Sequence, residues 1–147
     1  MAALTHERAN PDINPSDFPG EAYPTANNGG SFAGGLVGLN AAGYLDSIPG
    51  PNVMNVAFRF RGYSHRTWAN VAQGDGAFVE RVDRPQIIQG LQVLASDPVT
   101  EADLGNQVFI EDNQTIRRTS NTNTRCLFGI LQAINLDGTV NCKPLQP

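Results

Sequence analysis

The segment from Thr100 to Lys143 constrains the fold more than any other part of the chain. It consists of short apolar runs that are separated by the turn sequences Asp-Asn, Asn-Thr-Asn and Asp-Gly. Short runs of this kind between such turns are typical of strands that are joined by hairpins. We therefore predict a compact β module that packs and binds, and no residue in the segment has the character of a catalyst.

The two ends of this segment predict different local structures. Thr100 can cap a helical turn, Asp103 stands three residues later as in a capping box, and Gly105 can end the turn. At the other end, Cys126–Ile134 and Thr139–Cys142 are predicted to form a hairpin around an Asp137-Gly138 turn. A single helical turn is thus expected within an otherwise β-rich region.

Upstream segments add further strands. Leu36–Leu39 is predicted to be a strand followed by the hairpin loop Asn40–Gly43, and Val53–Arg61 alternates large apolar residues with polar or small ones. Arg84–Ala95 fits a helix or a strand, and Gly90 in its middle favours the strand. The pattern predicts a mainly β domain, a small β-barrel or sandwich of about eight short strands with one short helical turn.

Residues 1–30 are predicted to be an extended N-terminal arm that precedes a β domain at residues 31–147. Prolines recur every four or five residues, which prevents a helix or a sheet from running through the segment. The arm is either a disordered tail or a strap that becomes ordered only against a neighbour. In the second case its large apolar residues Ile13, Phe18 and Tyr23 are the expected anchors.

Charge narrows the classes of partner. The chain has 147 residues, a net charge of −4 and a pI near 5.0, which argues against an electrostatic grip on nucleic acid. Arginine supplies nine of the ten basic residues, and its planar group suits ordered contacts with carboxylates and aromatic rings. We expect protein contacts from this surface, with Arg59, Arg61, Arg66 and Trp68 as a second candidate interface.

Cysteine spacing and hydropathy give two further expectations. In the predicted hairpin Cys126 lies seven residues from the position opposite Cys142, or ~23 Å along the strand. A disulfide needs Cα atoms within about 7 Å, so two free, partly buried thiols are expected. The sequence has no apolar run of about 18 residues and no secretory signal, so neither membrane insertion nor secretion is predicted.

Catalytic and metal-binding patterns are weak. His65 stands beside Tyr63, Arg66 and Trp68, which suits stacking and hydrogen bonding, and it lacks a carboxylate neighbour in sequence. The chain has no CxxC, HExxH or EF-hand motif, and its Gly-rich stretch at residues 29–38 fits turns and close backbone packing rather than a phosphate loop. Arg117-Arg118 is interpreted as an exposed strand end. We predict no enzyme activity, no cofactor and no metal.

Several short motifs occur in an order that resembles one protein family. A Gly-rich start leads into a strand and an Asn-x-x-Gly-Tyr hairpin, a Gly-Asp turn precedes a later strand, and Thr-x-Ala-Asp-x-Gly is followed by an apolar strand, an acidic turn and Gln-Thr. These motifs are Leu36–Leu39, Asn40–Tyr44, Gly74–Gly76, Thr100–Gly105, Val108–Ile110, Glu111–Asn113 and Gln114-Thr115. Residues from about Gly34 to Lys143 thereby resemble the capsid decoration, or cement, proteins of tailed bacteriophages.

The resemblance implies a function and a set of partners. It predicts a virion protein, made in the host cytoplasm, that binds the outside of a capsid and stabilises it by bridging copies of the major capsid protein. It also implies a homo-oligomer, with a trimer favoured, and carries no catalytic residues. Residues 1–30 and the Arg- and Trp-rich segment 59–68 have no counterpart in the family's pattern. The alternative is a carbohydrate-binding or host-adhesion module in which Tyr63 and Trp68 stack on sugar rings.

Overall fold

The computed structural model describes residues 20–48, 58–122 and 124–145, which form strands connected by turns and one 3-10 helix, Glu101–Asp103. The strands of these residues are β1 (Gly20–Pro24), β2 (Gly30–Ser31), β3 (Leu36–Leu39), β4 (Leu45–Ser47), β5 (Arg59–Ser64), β6 (Trp68–Ala69), β7 (Val79–Asp83), β8 (Ile88–Val93), β9 (Gln107–Asp112), β10 (Thr115–Arg117), β11 (Leu127–Ile134) and β12 (Val140–Pro144).

The N-terminal half forms a curved antiparallel sheet. Its strand order is β1-β7-β5-β3-β4. An isolated parallel bridge between Thr25 and Leu45, and a hydrogen bond from the Ala26 amide to the Leu45 carbonyl, bring the chain after β1 against β4 at the opposite edge. The two-residue strands β2 and β6 pair with each other in a separate small sheet.

The C-terminal half forms a closed barrel in the order β10-β8-β12-β11-β9. Its strands pair antiparallel except for β8 and β10, which are parallel. Closure leaves no free edge among the five described strands of this barrel. Register shifts occur in four of its pairings, and they bend the short strands into the barrel.

Two apolar cores hold these parts together. The larger core fills the barrel and continues to the facing side of the sheet; it comprises Leu36, Ile48, Phe58, Phe60, Tyr63, Ile88, Leu91, Val108, Ile110, Ile116, Cys126, Phe128, Leu131, Val140 and Cys142. The smaller core comprises Val37, Leu39, Leu45, Trp68 and Val82, with Tyr23 packed against it. Neighbouring residues Leu36 and Val37 belong to different cores because side chains alternate across a strand.

The predicted fold class is confirmed, as are several of its elements. β3 has the predicted bounds, and hydrogen bonds between Asn40 and Tyr44 close the loop that follows it. Residues 88–93 form a strand rather than a helix, with Gly90 at a φ of +71°. Thr100 and Asp103 form the predicted capping box. Cys126 and Cys142 are both buried and unbridged.

The last hairpin has a different register from the predicted one. The Asn135 amide donates to the Thr139 carbonyl, so the loop has three residues rather than two, and Gly138 takes the left-handed conformation with a φ of +87°. A bulge between Leu131 and Ala133 then places Cys142 opposite Leu131, whereas the sequence-based pairing was with Ala133. The Asp-Gly signal located the turn, but loop length and bulges are set by the curvature of the barrel.

The N-terminal boundary also has structure around it. The predicted boundary between residues 30 and 31 falls within β2, and Gly20–Pro24, which was assigned to the arm, is the strand that pairs with β7. A proline at the end of an edge strand needs no ladder hydrogen bond, so Pro24 is compatible with this strand. Residues 1–19, with Ile13 and Phe18, and residues 53–57 of the predicted strand Val53–Arg61 lie outside the described residues.

Candidate functional site

Five of the seven predicted interface residues border the smaller core. Tyr23 packs against it from β1, Trp68 is one of its members, and Arg59 on β5 is the cross-strand partner of the core residue Leu39. Arg61 contacts the Tyr23 ring, and Arg66 contacts Glu80, which lies opposite Tyr23 on the neighbouring strand. We call this region the arginine surface; Ile13 and Phe18 lie outside the described residues.

One part of the arginine surface is an ionic and aromatic cluster around Tyr23. The Arg61 guanidinium carbon lies 5.9 Å from the centroid of the Tyr23 ring. The Tyr23 hydroxyl donates to the Glu21 carboxylate, which also accepts from Nη1 of Arg84 at 2.9 Å. The bond from Tyr23 lowers the pKa of Glu21, with Arg84 adding to the effect against the cost of burial. The cluster therefore holds these side chains in fixed relative positions on β1 and β5.

The second part of the arginine surface is the pair Arg66–Glu80. Glu80 is 3% exposed, whereas the Arg66 side chain is 71% exposed and reaches Glu80 with both Nε and Nη2, the latter at 2.9 Å from Oε2. Two bonds to one carboxylate fix the plane of the guanidinium group. A depression of about 250 Å³ lies beside the pair, lined also by Trp68 and Phe78. Arg66 is thus an exposed cation with a defined orientation next to a depression of mixed polar and aromatic lining.

Trp68 and Tyr63 are the residues that the sequence suggested for stacking on sugars. They are only 9% and 8% exposed, and they belong to the smaller and the larger core. Little of either ring is available to a ligand, so their main contribution is burial of apolar area. Trp68 Nε1 is buried and has no hydrogen-bond partner among the described residues.

His65 has a carboxylate partner that sequence spacing did not reveal. Its Nδ1 lies 2.8 Å from Oδ2 of Asp83, and Arg81 Nε donates to the other oxygen of Asp83 at 3.0 Å. Within the described residues no hydroxyl or thiol is hydrogen-bonded to the other nitrogen of His65. Asp83 orients the His65 ring, and the Arg81 guanidinium places a positive charge beside the same buried carboxylate. Among the described residues no nucleophile extends this pair into a catalytic triad.

The sequence of β7 contains a signal for the ion pair between Glu80 and Arg66. Its alternation places Glu80 and Val82 on the same side, and both are buried. A carboxylate at a buried position of a strand requires a cationic partner, and in the structure this partner is Arg66. The identity of the cation depends on the pairing of β7 with β1 and β5, which is a long-range property.

A second ionic cluster closes one end of the barrel. Arg117 donates to Asp97 at 3.0 Å and to Glu111 at 2.9 Å, and Arg125 also donates to Glu111 at 3.2 Å. Burial opposes ionisation of Asp97, but hydrogen bonds from Thr119 and Arg117 outweigh it, so the pKa of Asp97 lies below its usual value. The interpretation of Arg117-Arg118 as an exposed strand end was wrong for Arg117, which is largely buried in this cluster, and fits Arg118, whose side chain is exposed just beyond β10.

The described residues contain no group of three or more side chains suited to a metal ion. No helix in the described ranges has the length and apolar character required to cross a membrane. No protein-family model, curated protein or solved structure matches this chain.

Proposed function

We propose that this protein binds the exterior of a bacteriophage capsid and stabilises it by bridging neighbouring copies of the major capsid protein. The observation that carries the proposal is the convergence of Tyr23, Arg59, Arg61 and Arg66 beside the small core that contains Trp68, which brings residues distant in sequence to one surface. The order of the motifs between Gly34 and Lys143, which resembles capsid decoration proteins, supports the same conclusion.

The arginine surface suits contacts with another protein. Arg59 is exposed and its side chain bonds to none of the described residues, and Nη1 of Arg66 is likewise uncommitted in the described ranges. Phe78, just before β7, is 47% exposed, and Val79, its first residue, is 60% exposed. Arginine groups with free donors beside exposed apolar side chains form the kind of patch that anchors protein interfaces.

Bridging would act through repetition. Each copy that touches two capsid subunits adds contacts that must break before either subunit can leave. A homo-oligomer, with a trimer favoured, multiplies these contacts around a symmetry axis, so individually weak contacts act together. In this proposal residues 1–19 extend the footprint, with Ile13 and Phe18 as anchors on a neighbouring molecule.

The proposal is tested with capsids of the phage whose genome encodes the chain, prepared without this protein. The purified chain is mixed with these heads and its retention is measured after sedimentation through a sucrose cushion. We expect Arg59→Glu to reduce retention at least tenfold, because it reverses a charge at an interface without removing a contact within the protein. Lys143→Glu, which makes the same exchange at an exposed position of β12, is the matched control and should bind normally.

A truncation separates the contribution of the N-terminal residues from that of the arginine surface. It should begin at Gly20, because β1 pairs with β7 and its removal would damage the sheet. We expect the truncated chain to bind heads more weakly than the full chain. Full-length protein that stays in the supernatant with every preparation of heads, and that sediments as a monomer, would overturn the proposed function.

A further inference from the structure

A second depression lies where two strands of the barrel are bulged. On β12, Val140 and Cys142 pair with Leu91 and Ile88 of β8, so β8 contributes an extra residue at this point. On the other side of β12, Leu131 and Ala133 of β11 face the consecutive residues Cys142 and Asn141. Beside these two bulges lies a hollow of about 510 Å³, lined by Gln89, Gly90, Asn135, Leu136, Asp137, Thr139 and Asn141. We call it the Asn141 depression.

The polar side chains of the Asn141 depression are held in place by one another. Oδ1 of Asn141 accepts from the Gly90 amide at 3.2 Å and from Nδ2 of Asn135 at 3.0 Å. Nδ2 of Asn135 also donates to Oγ1 of Thr139, and this hydroxyl donates to Oδ1 of Asp137. The network fixes each side chain before any ligand arrives, which lowers the entropic cost of binding.

The same network leaves specific groups available. Within the described residues, Oδ1 of Asn135 and Nδ2 of Asn141 make no hydrogen bond, so the depression offers one uncommitted acceptor and one uncommitted donor group. Asp137 adds the oxygen that Thr139 does not engage, and its bonds from Thr139 lower the pKa of this carboxyl. Leu136, at the tip of the hairpin, is fully exposed beside them.

We propose that the Asn141 depression binds a neutral saccharide, a site and an activity separate from the proposed attachment to a capsid. Neighbouring hydroxyl groups on a sugar ring each donate and accept, so one can meet the amide donor of Asn141 while another meets the acceptor of Asn135 or Asp137. The apolar face of the ring can cover Leu136. The volume lies within the usual range for small-ligand sites, roughly 300–1,000 Å³.

The chemistry of the lining disfavours other ligand classes. It contains a carboxylate and no lysine or arginine, so an anionic ligand would be repelled. It offers one carboxylate only, which is too few for a hard cation. Its amide groups would be left unpaired by a purely apolar ligand, at a cost in binding free energy. The surface shares no residue with the arginine surface.

The experiment is a titration of the ¹⁵N-labelled full chain with D-glucose, D-galactose, D-mannose and N-acetyl-D-glucosamine, and with soluble polymers of each, monitored by amide chemical shifts. We expect at least one probe to cause saturable shifts that are confined to residues 88–91 and 135–141. Asn141→Asp retains the acceptor for Gly90 and Asn135, removes the free donor and adds one negative charge. It should weaken binding about three- to tenfold, the effect of one hydrogen bond.

Two matched controls make the result specific. Gln132→Glu adds the same charge to an exposed position of β11 outside the depression and should leave the affinity unchanged. Leu136→Ala should weaken binding, whereas Leu104→Ala, at an exposed leucine beyond the 3-10 helix, should not. Absence of saturable shifts with every probe, shifts located elsewhere, or equal affinities of Asn141→Asp and Gln132→Glu would each overturn the proposal.

Discussion

Phe60 and Phe128 stack with their ring centroids 4.5 Å apart and their planes inclined by 21°. Phe60 lies on β5 of the curved sheet and Phe128 on β11 of the barrel, and both rings are buried in the larger core. The two halves of the described chain therefore share one core, and separating them would expose both rings. The arginine surface on the sheet and the Asn141 depression on the barrel are consequently carried by one packed unit.

Truncation of the stacked ring should destabilise the whole protein. We expect Phe128→Ala to lower the free energy of unfolding by about 3–5 kcal/mol, because it removes a buried aromatic side chain and leaves a cavity. Phe128→Leu should cost less, about 1–2 kcal/mol, since most of the volume is kept. Urea denaturation followed by circular dichroism measures both values, and Leu136→Ala is the exposed control with a change below about 0.5 kcal/mol. If urea denaturation showed two separate transitions, and Phe128→Ala shifted only one of them, the two halves would not share a core.

Stability should fall in acid through the cluster around Asp97. The pKa of Asp97 in the folded state lies below its ordinary value of 3.8, so the unfolded chain binds this proton more readily. The stabilisation is therefore complete above about pH 5, one unit above the unfolded-state value, and is lost as the pH falls through the folded-state pKa. Denaturation curves between pH 2 and pH 6 should show a decline on the acid side.

Replacement of Asp97 isolates this contribution. Asp97→Asn leaves Arg117 without one of its two carboxylates, and we expect a loss of about 3 kcal/mol at pH 7 because the cation is largely buried. The difference in stability between this variant and the native chain should shrink below pH 4. Glu101→Gln, at an exposed position in the 3-10 helix, is the control variant. If the stability difference between Asp97→Asn and the native chain were the same at every pH, Asp97 would not contribute through its charge.

Local signals predicted the elements whose structure is decided locally. Leu36–Leu39 with its Asn-x-x-Gly loop, the Thr100–Asp103 capping box and the strand character of residues 88–93 each depend on residues within a few positions of one another. The chain therefore carries enough information at short range to define these elements. Very short strands such as Trp68–Ala69 have no periodicity to detect, and they form because a partner strand lies beside them.

The surfaces were less predictable than the strands. Arg61 and Arg66 were selected for their residue type, but their partners Tyr23 and Glu80 are brought together by the pairing of β1 with β7. The Asn141 depression depends on two bulges, and a bulge leaves no mark in the alternation of a short apolar strand. Residues at such places gain their properties from long-range register, which a single sequence does not specify.

Gly129 should be intolerant of any side chain. A Cβ atom at this position would lie 2.0 Å from the carbonyl oxygen of Lys143, which belongs to the partner strand β12. We expect Gly129→Ala to cost more than about 2 kcal/mol, since the backbone of a closed barrel must move. Gly43→Ala is the informative comparison: Gly43 has a φ of +90° but open space around it, so its cost is limited to the left-handed conformation, about 1–2 kcal/mol. Thermal denaturation measures the loss of stability in both variants, and a loss for Gly129→Ala no larger than that for Gly43→Ala would contradict the prediction.

The two thiols should be inert in the folded protein. Burial raises the pKa of Cys126 and of Cys142 to about 12, so almost no thiolate exists at pH 8, and the side chains are inaccessible to reagents. We expect iodoacetamide to label neither cysteine in native buffer and both in about 8 M urea, as measured by intact mass. Non-reducing and reducing gels should be identical, because neither cysteine is in a disulfide. Rapid labelling of one cysteine under native conditions would contradict this prediction and would indicate that the barrel opens beside that residue, at Cys126 just before β11 or at Cys142 within β12.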